Sequence, residues 1–292
     1  MRIGYFCTAG YTEMGGIKQF LAKIRADVEW ERCFPAVEKP APKLNRPFPE
    51  PRREDSGATG QDLVDRMLER LRKYHSGIQC NLDIVLLIDD ADCRFKDSPG
   101  SFSRWVARCR ERVREATQKE AVEFVALLAS PEIEAWLLTD WEEGFGREYH
   151  GLEPLLLHHL EANLLGTRPW AAIEDYGGQA TGGSCEEKLS EDIQKAFSDL
   201  IAAALAGSID EATCFYSKAV HGPRMLQRIR PDELCAACSR YFAPAYNDLL
   251  ALPAAIPPSS ASNVAEEAVA TQKRRREPAA GRGRMRPKPR RR

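Results

Sequence analysis

No run of 18 apolar residues occurs in this 292-residue chain, so no membrane-spanning helix is expected. There is no G-x-x-x-x-G-K-[ST], no G-x-G-x-x-G after a strand and no H-E-x-x-H. P-loop nucleotide binding, dinucleotide binding and zincin chemistry are therefore poorly supported. Paired cysteine ligands are also missing. The nine cysteines are odd in number and irregularly spaced. The one tight pair, Cys235-Ala-Ala-Cys238, has no second pair or nearby histidine, so buried thiols suit it better than zinc. Ser and Cys nucleophiles have no obvious His and acid partners, and no internal repeat is present. The opening Met1–Thr8 segment is strand-like and does not resemble a signal peptide. A cytoplasmic location with mostly reduced thiols is the expectation.

Net charge is nearly absent too, at −1, but this hides an asymmetry. Residues 271–292 hold eleven Lys/Arg and one Glu, leaving 31 basic and 42 acidic residues elsewhere, a balance of −11. A Pro/Gly/Arg-rich tail of this kind cannot build a core and is expected to be disordered. Nucleic acid or an acidic protein face would suit it, as would a plain solubilising role. Residues 253–270 read as a linker.

A hydrophobic content of 43% with five Trp suffices for one large domain or two smaller ones. The chain is organised around Asp83-Ile-Val-Leu-Leu-Ile-Asp-Asp-Ala-Asp92. Its five-residue apolar run, Ile84 to Ile88, reads as a strand buried on both faces. Asp89, Asp90 and Asp92 then stand at its carboxyl end, where open α/β sheets place their ligand crevice. Carboxylates this close are tolerated in water or around a hard cation such as Mg²⁺. In an extended segment Asp90 and Asp92 point one way and Asp89 the other. Acids at strand ends also serve as solvated loops and helix caps, and both readings stand.

Further strands are expected at Met1–Thr8, Val28–Val37 and Val122–Ala129. Helices are expected at Ile17–Arg25 with Thr12 as its cap, Gln61–Tyr74, Phe102–Thr117, and from Pro131 at a first helical position. The Pro-rich, basic stretch Lys39–Gly60 reads as a long loop. The predicted fold class is α/β, a parallel four-stranded sheet with helices on both faces over residues 1–140. A mostly helical region, residues 141–252, would pack on it, with helices expected at Glu153–Leu165, Glu186–Leu205 and Arg224–Ile229.

Glu13 in the first turn of the first helix would converge with Asp89, Asp90 and Asp92 at one sheet edge. Glu132 and Glu134 would border it after the fourth strand. Carboxylates holding Mg²⁺ (or Mn²⁺) suit phosphoryl chemistry. Asp89, Asp90, Asp92 and Glu134 are the candidate metal ligands, and Glu134 reads equally as an acid complementing a helix dipole. Lys218, His221 and Arg224 form the strongest cationic group of the C-terminal half. Lys218 would stabilise a pentacovalent phosphate, His221 would act as general acid or base, and Arg224 would clamp a phosphate. A Gly-Pro turn with surface cations is the plainer reading of the same residues.

Four segments carry a resemblance: Gly10-Tyr-Thr-Glu-Met-Gly-Gly16, Leu87-Ile-Asp-Asp-Ala-Asp-Cys93, Pro131-Glu-Ile-Glu-Ala-Trp-Leu-Leu138 and Tyr216-Ser-Lys-Ala-Val-His-Gly-Pro-Arg224. Together they resemble the bacterial Toprim-like family filed as domain of unknown function 4276. The resemblance implies a Toprim-like sheet and Mg²⁺-dependent cleavage of nucleic-acid backbones. Glu13 follows the first strand, where the family has an acid, and Asp90 and Asp92 correspond to its Asp-x-Asp after the third. Joined to the reading above, Glu13, Asp90, Lys218 and His221 would be the catalytic residues, and Lys218 and Arg224 the phosphate contacts. It also implies an ATPase partner in bacterial defence. The family's leading acid falls at Ala9 here, which points to an impaired nuclease. The alternative is a non-catalytic adaptor that binds an ATPase partner and holds nucleic acid through its basic tail.

Overall fold

The apolar run at 84–88 is the heart of a four-stranded parallel sheet. Strands β1 (Arg2–Cys7), β2 (Glu29–Phe34), β3 (Ile84–Asp90) and β4 (Glu123–Ala129) lie in the order β2-β1-β3-β4. The computed structural model describes residues 1–37, 52, 55–76, 82–96, 98, 100–166, 168, 170, 173–177, 180–181, 184–205 and 215–254. The crossovers are α1 (Tyr11–Ile24), α2 (Gly60–Ser76) and α3 (Ser101–Thr117).

Parallel strands need long crossovers, and these bury both faces of the sheet. On one face Ile17, Phe20, Leu21 and Ile24 of α1 join Ile84, Leu86 and Ile88 in a single core. On the other, Leu63, Val64 and Met67 of α2 and Cys109 and Val113 of α3 meet Val85 and Leu87. Alternate residues of β3 thus sort to opposite faces. The alternation carries Asp89 toward α2 and Asp90 toward α1. The chain leaves β1 for one face and β3 for the other, so the crevice between their carboxyl ends is a topological switch point. The register keeps these ends level, with Cys7 opposite Ile88 and Asp90 opposite Ala129.

The C-terminal half supplies α4 (Ile133–Thr139), α5 (Phe145–Glu148), α6 (Glu153–Leu160) and a π turn at Glu161–Leu165. A short hairpin, β5 (Ala180–Thr181) and β6 (Ser184–Cys185), precedes α7 (Leu189–Leu205). Then come α8 (His221–Arg228), α9 (Pro231–Ala237) and α10 (Phe242–Ala251). One core runs from Ile3 to Leu249, so the helical half shares the core of α1. Phe20, Trp136 and Phe242 knit it together, with ring centroids 5.1–6.1 Å apart. Met1–Ala254 forms one compact unit. The basic tail, and most of the Lys39–Gly60 loop and of the expected linker, lie outside the described residues. Among the described residues no helix is long and apolar enough to cross a membrane.

Among the boundaries that differ from expectation, two bear on the site. α1 starts at Tyr11, with Gly10 in the cap position and no side-chain cap. Thr12 is not the cap, because its hydroxyl donates to the Lys218 carbonyl at 3.3 Å. The glycines that read as a turn instead let α8 approach α1. A Cβ on Gly16 would stand 2.8 Å from Leu226 Cβ and 2.9 Å from the Pro223 carbonyl oxygen. One on Gly222 would stand 2.1 Å from Thr12 Oγ1. Gly16→Val is therefore expected to cost about 1–3 kcal/mol by overpacking. Urea unfolding measures this, and an unchanged midpoint would mean that α8 retreats freely. The second difference is at Pro131, which precedes the helix. Glu132 is extended at the cap position and α4 begins at Ile133.

Candidate functional site

Asp89 and Asp90 end the same strand but do different things. Asp89, buried on the α2 face, accepts the Gly60 N–H at 2.9 Å, at the start of α2. It also pairs with Arg94 at 2.7 Å, while its Oδ1 is buried without a partner. Burial raises its pKa against the pull of Arg94 and the Gly60 N–H. Asp90 faces α1 and accepts the Ile133 N–H that opens α4, at 2.9 Å. Both acids thus accept a backbone N–H at a helix start, a role anticipated as one alternative.

Asp90 also shares its surroundings with other acids. Burial raises its pKa well above the usual value, and the charges of Glu13 and Glu134 add to this. Glu13 is 4% exposed in the first turn of α1 and accepts the Thr8 hydroxyl at 2.8 Å. Its carboxylate folds back over Gly10, where a Cβ would come within 2.2 Å of Glu13 Oε2. A bare Gly10 thus lets Glu13 reach back to the end of β1, beside Ala9. Burial lifts its pKa to about 7, opposed by its backbone and Thr8 hydrogen bonds and assisted by Glu134.

Glu134, in the first turn of α4, is 0% exposed. Its Oε1 accepts the Tyr216 hydroxyl at 2.8 Å and lies 3.1 Å from Lys218 Nζ. Its Oε2 is buried without a hydrogen-bond partner. Lys218 also lies 3.5 Å from Glu132, which accepts the Ser190 N–H at 3.2 Å. Burial works against the Lys218 charge, but Glu134, Glu132 and Asp90 outweigh it and the pKa rises. Burial raises that of Glu134 in spite of Lys218.

Glu13, Asp90, Glu134 and Lys218 therefore gather at the switch point. Asp92 does not join them. β3 ends at Asp90, and Asp92 takes a left-handed turn at φ 47°, so strand alternation no longer aims its side chain. Its carboxylate is desolvated and feels Arg94 and Lys188. His221 stands one ring behind the site, 6.5 Å from Tyr216 between centroids, and packs on Tyr149 and Phe215. Its Nδ1 accepts the Ser217 N–H at 3.0 Å, so the proton of the neutral ring sits on Nε2. Burial lowers its pKa, with Glu148 opposing and Arg224 assisting. Arg224 is half exposed and 3.7 Å from Glu148, away from the acids.

Sequence reasoning did not single out Thr8 and Tyr216, which orient Glu13 and Glu134. Tyr216 was within reach, because it stands two residues before Lys218 in a quoted segment.

Carboxylate oxygens are the ligand type a hard divalent cation takes, and one Glu134 oxygen is buried without a hydrogen-bond partner. Among the described residues, however, no group of three or more His, Cys, Asp or Glu side chains is arranged to hold a metal ion. Lys218 supplies the positive charge among the carboxylates. In the absence of divalent ions this cluster predicts a particular pH response. A buried acid whose folded pKa exceeds its unfolded value favours the fold at low pH, and that gain is lost as pH rises through the folded value. For Glu13 the window runs from 4.5 to about 7. Stability should fall across it by on the order of 3 kcal/mol, and Glu13→Gln should flatten that part of the profile. Denaturant titrations at several pH values check this, and a variant with an unaltered slope would assign the dependence elsewhere. Compared with family models, curated proteins and solved structures, the chain matches none.

Proposed function

We propose that the chain is a Mg²⁺- or Mn²⁺-dependent Toprim-like nuclease that hydrolyses nucleic-acid phosphodiesters. One observation carries the reading. Glu13, Asp90 and Glu134 come from three separate strand ends to one crevice, around Lys218, and one Glu134 oxygen is buried unpaired. Stability alone does not account for two buried carboxylates and a third, partly buried one, that repel one another, and such clusters mark functional sites.

Asp90 and Glu134 would hold the ion, with Glu13 beside them. Asp89, committed to Arg94 and α2, and Asp92, in the left-handed turn after the strand, are left out of this set. Bound there, the ion would polarise a phosphoryl oxygen and lower the pKa of a water ligand. Glu13, with a pKa near neutrality, would move a proton to or from the reacting oxygens. It also offers a carboxylate beside Ala9, where the resembled family carries its leading acid. Lys218 would shift part of its charge from Glu134 to the phosphate. His221, packed on Tyr149, Phe215 and Tyr216, would act only from behind Tyr216. Arg224 would meet phosphate only by leaving Glu148.

Labelled DNA and RNA, incubated with Mg²⁺ or Mn²⁺, test the proposal by comparing wild type with Asp90→Ala. Equal cleavage, or none by wild type, would reject it. The adaptor reading rests on the +10 tail and supposes an ATPase partner. Deleting residues 271–292 would then weaken nucleic-acid binding and flatten its salt dependence. Unchanged affinity would set the tail aside.

A further inference from the structure

Cys93 and Cys185, 92 residues apart in sequence, are joined by a disulfide. Among the described cysteines this pair is the exception to the mostly reduced thiols expected, and its position gives it a use. Cys93 lies three residues beyond Asp90 in the turn that carries Asp92. Cys185 ends β6, just before the α7 start whose Ser190 N–H holds Glu132. Around the bond, the segments at 173–177 and 184–190 form a strap across the loops that follow β3 and β4. Lys96 Nζ donates to the carbonyls of Asp175 and Tyr176, and the Ser130 hydroxyl to the Glu174 carbonyl at 2.9 Å. Glu186 donates its N–H to the Gly177 carbonyl at 3.1 Å. Gly177, at φ +100°, must be bare, since a Cβ there would stand 2.9 Å from Cys185 Sγ.

We infer that Cys93–Cys185 is a reversible thiol–disulfide lock, closing this strap on the acidic edge when oxidised and releasing it when reduced. Three observations argue for reversibility. First, among the described residues Cys7, Cys33, Cys109, Cys235 and Cys238 remain thiols, and in a reducing compartment a lone disulfide in such company is usually transient, catalytic or redox-sensing. Second, the two sulfurs are unequal. Cys93 is 0% exposed whereas Cys185 is half-buried, so an incoming thiolate meets Cys185 first. Third, the reduced state has a place for its proton: the Gly177 carbonyl oxygen lies 3.8 Å from Cys93 Sγ.

The reductant is a dithiol. Its thiolate attacks Cys185 Sγ, the S–S bond breaks, and Cys93 leaves as a thiolate that takes up a proton. The reductant's second thiol then displaces Cys185. Two electrons and two protons have passed to the protein, and the dithiol has become a disulfide. As a regulator of cleavage the lock rests on the nuclease reading; as a mechanical device it does not.

Hydrogen exchange on the full chain, oxidised or reduced with dithiothreitol, tests it. Amides of 91–96 and 184–190 should exchange at least about tenfold faster on reduction, while those of α2 do not change. Cys185→Ser should be fast under both conditions. Equal rates in the two redox states, or free Cys93 and Cys185 thiols after oxidation, would overturn the lock. Cleavage measured in parallel should change severalfold between the states, and equal, measurable rates would overturn the regulatory claim. Cleavage absent from both states, with the exchange response intact, would uphold the lock and count against the nuclease alone.

Discussion

Replacing Lys218 with methionine is expected to lower stability at neutral pH by about 2–4 kcal/mol, somewhat below the usual cost of breaking a buried pair because Lys218 is 38% exposed. The cause is what it leaves behind. Glu134, at 0% exposure, and Glu132, at 6%, lose the ammonium that compensates their charge. Two controls separate this from lost packing. The deficit should shrink as pH falls, since burial raises the pKa of Glu134 and its protonated form no longer needs a counter-charge. Glu134→Gln should also rescue much of the loss in the double variant, because the lysine and the glutamate are coupled. A deficit independent of pH and additive with Glu134→Gln would mean that Lys218 acts by packing alone. Cleavage by Lys218→Met should fall by roughly 10²–10³-fold.

Asp90→Asn is expected to act in the opposite direction on stability. Asn keeps the oxygen that accepts the Ile133 N–H and removes a charge repelled by Glu13 and Glu134. Without divalent ions the variant should be more stable than wild type by about 1–2 kcal/mol, the usual yield of relaxing a site built for function. Its metal-dependent cleavage should nevertheless fall at least about 100-fold, more than the loss of a supporting group costs. A wild type that is the more stable protein without metal would show that Asp90 serves chiefly as the cap of α4.

The sheet was legible because apolar runs and period-3.6 helices alternate, and a parallel sheet must then have helices on both faces. The convergence of Glu13 with Asp90 followed from the same topology. What was not legible depended on long-range contacts. Gly15–Gly16 reads locally as a turn, and only α8, two hundred residues later, shows why small residues are needed inside α1. Asp92 looked in phase with Asp90, but a single left-handed residue breaks the alternation. The capping by Asp89 and Asp90 depends on where α2 and α4 begin, which local pattern does not reveal. Nor does pattern reveal that Lys218 reaches Glu134, 84 positions before it, or that Cys93 finds Cys185.

The central claim is that Glu13, Asp90 and Glu134 gather because a divalent cation belongs among them. Thermal unfolding of the full chain against increasing Mg²⁺ or Mn²⁺ tests this most directly. At a hundredfold excess over the dissociation constant, binding should add about 2.7 kcal/mol, which raises the midpoint by roughly 5–10 °C in a unit of this size. Asp90→Asn should show no such rise. A wild-type midpoint indifferent to either ion, or an equal rise in the variant, would contradict the account.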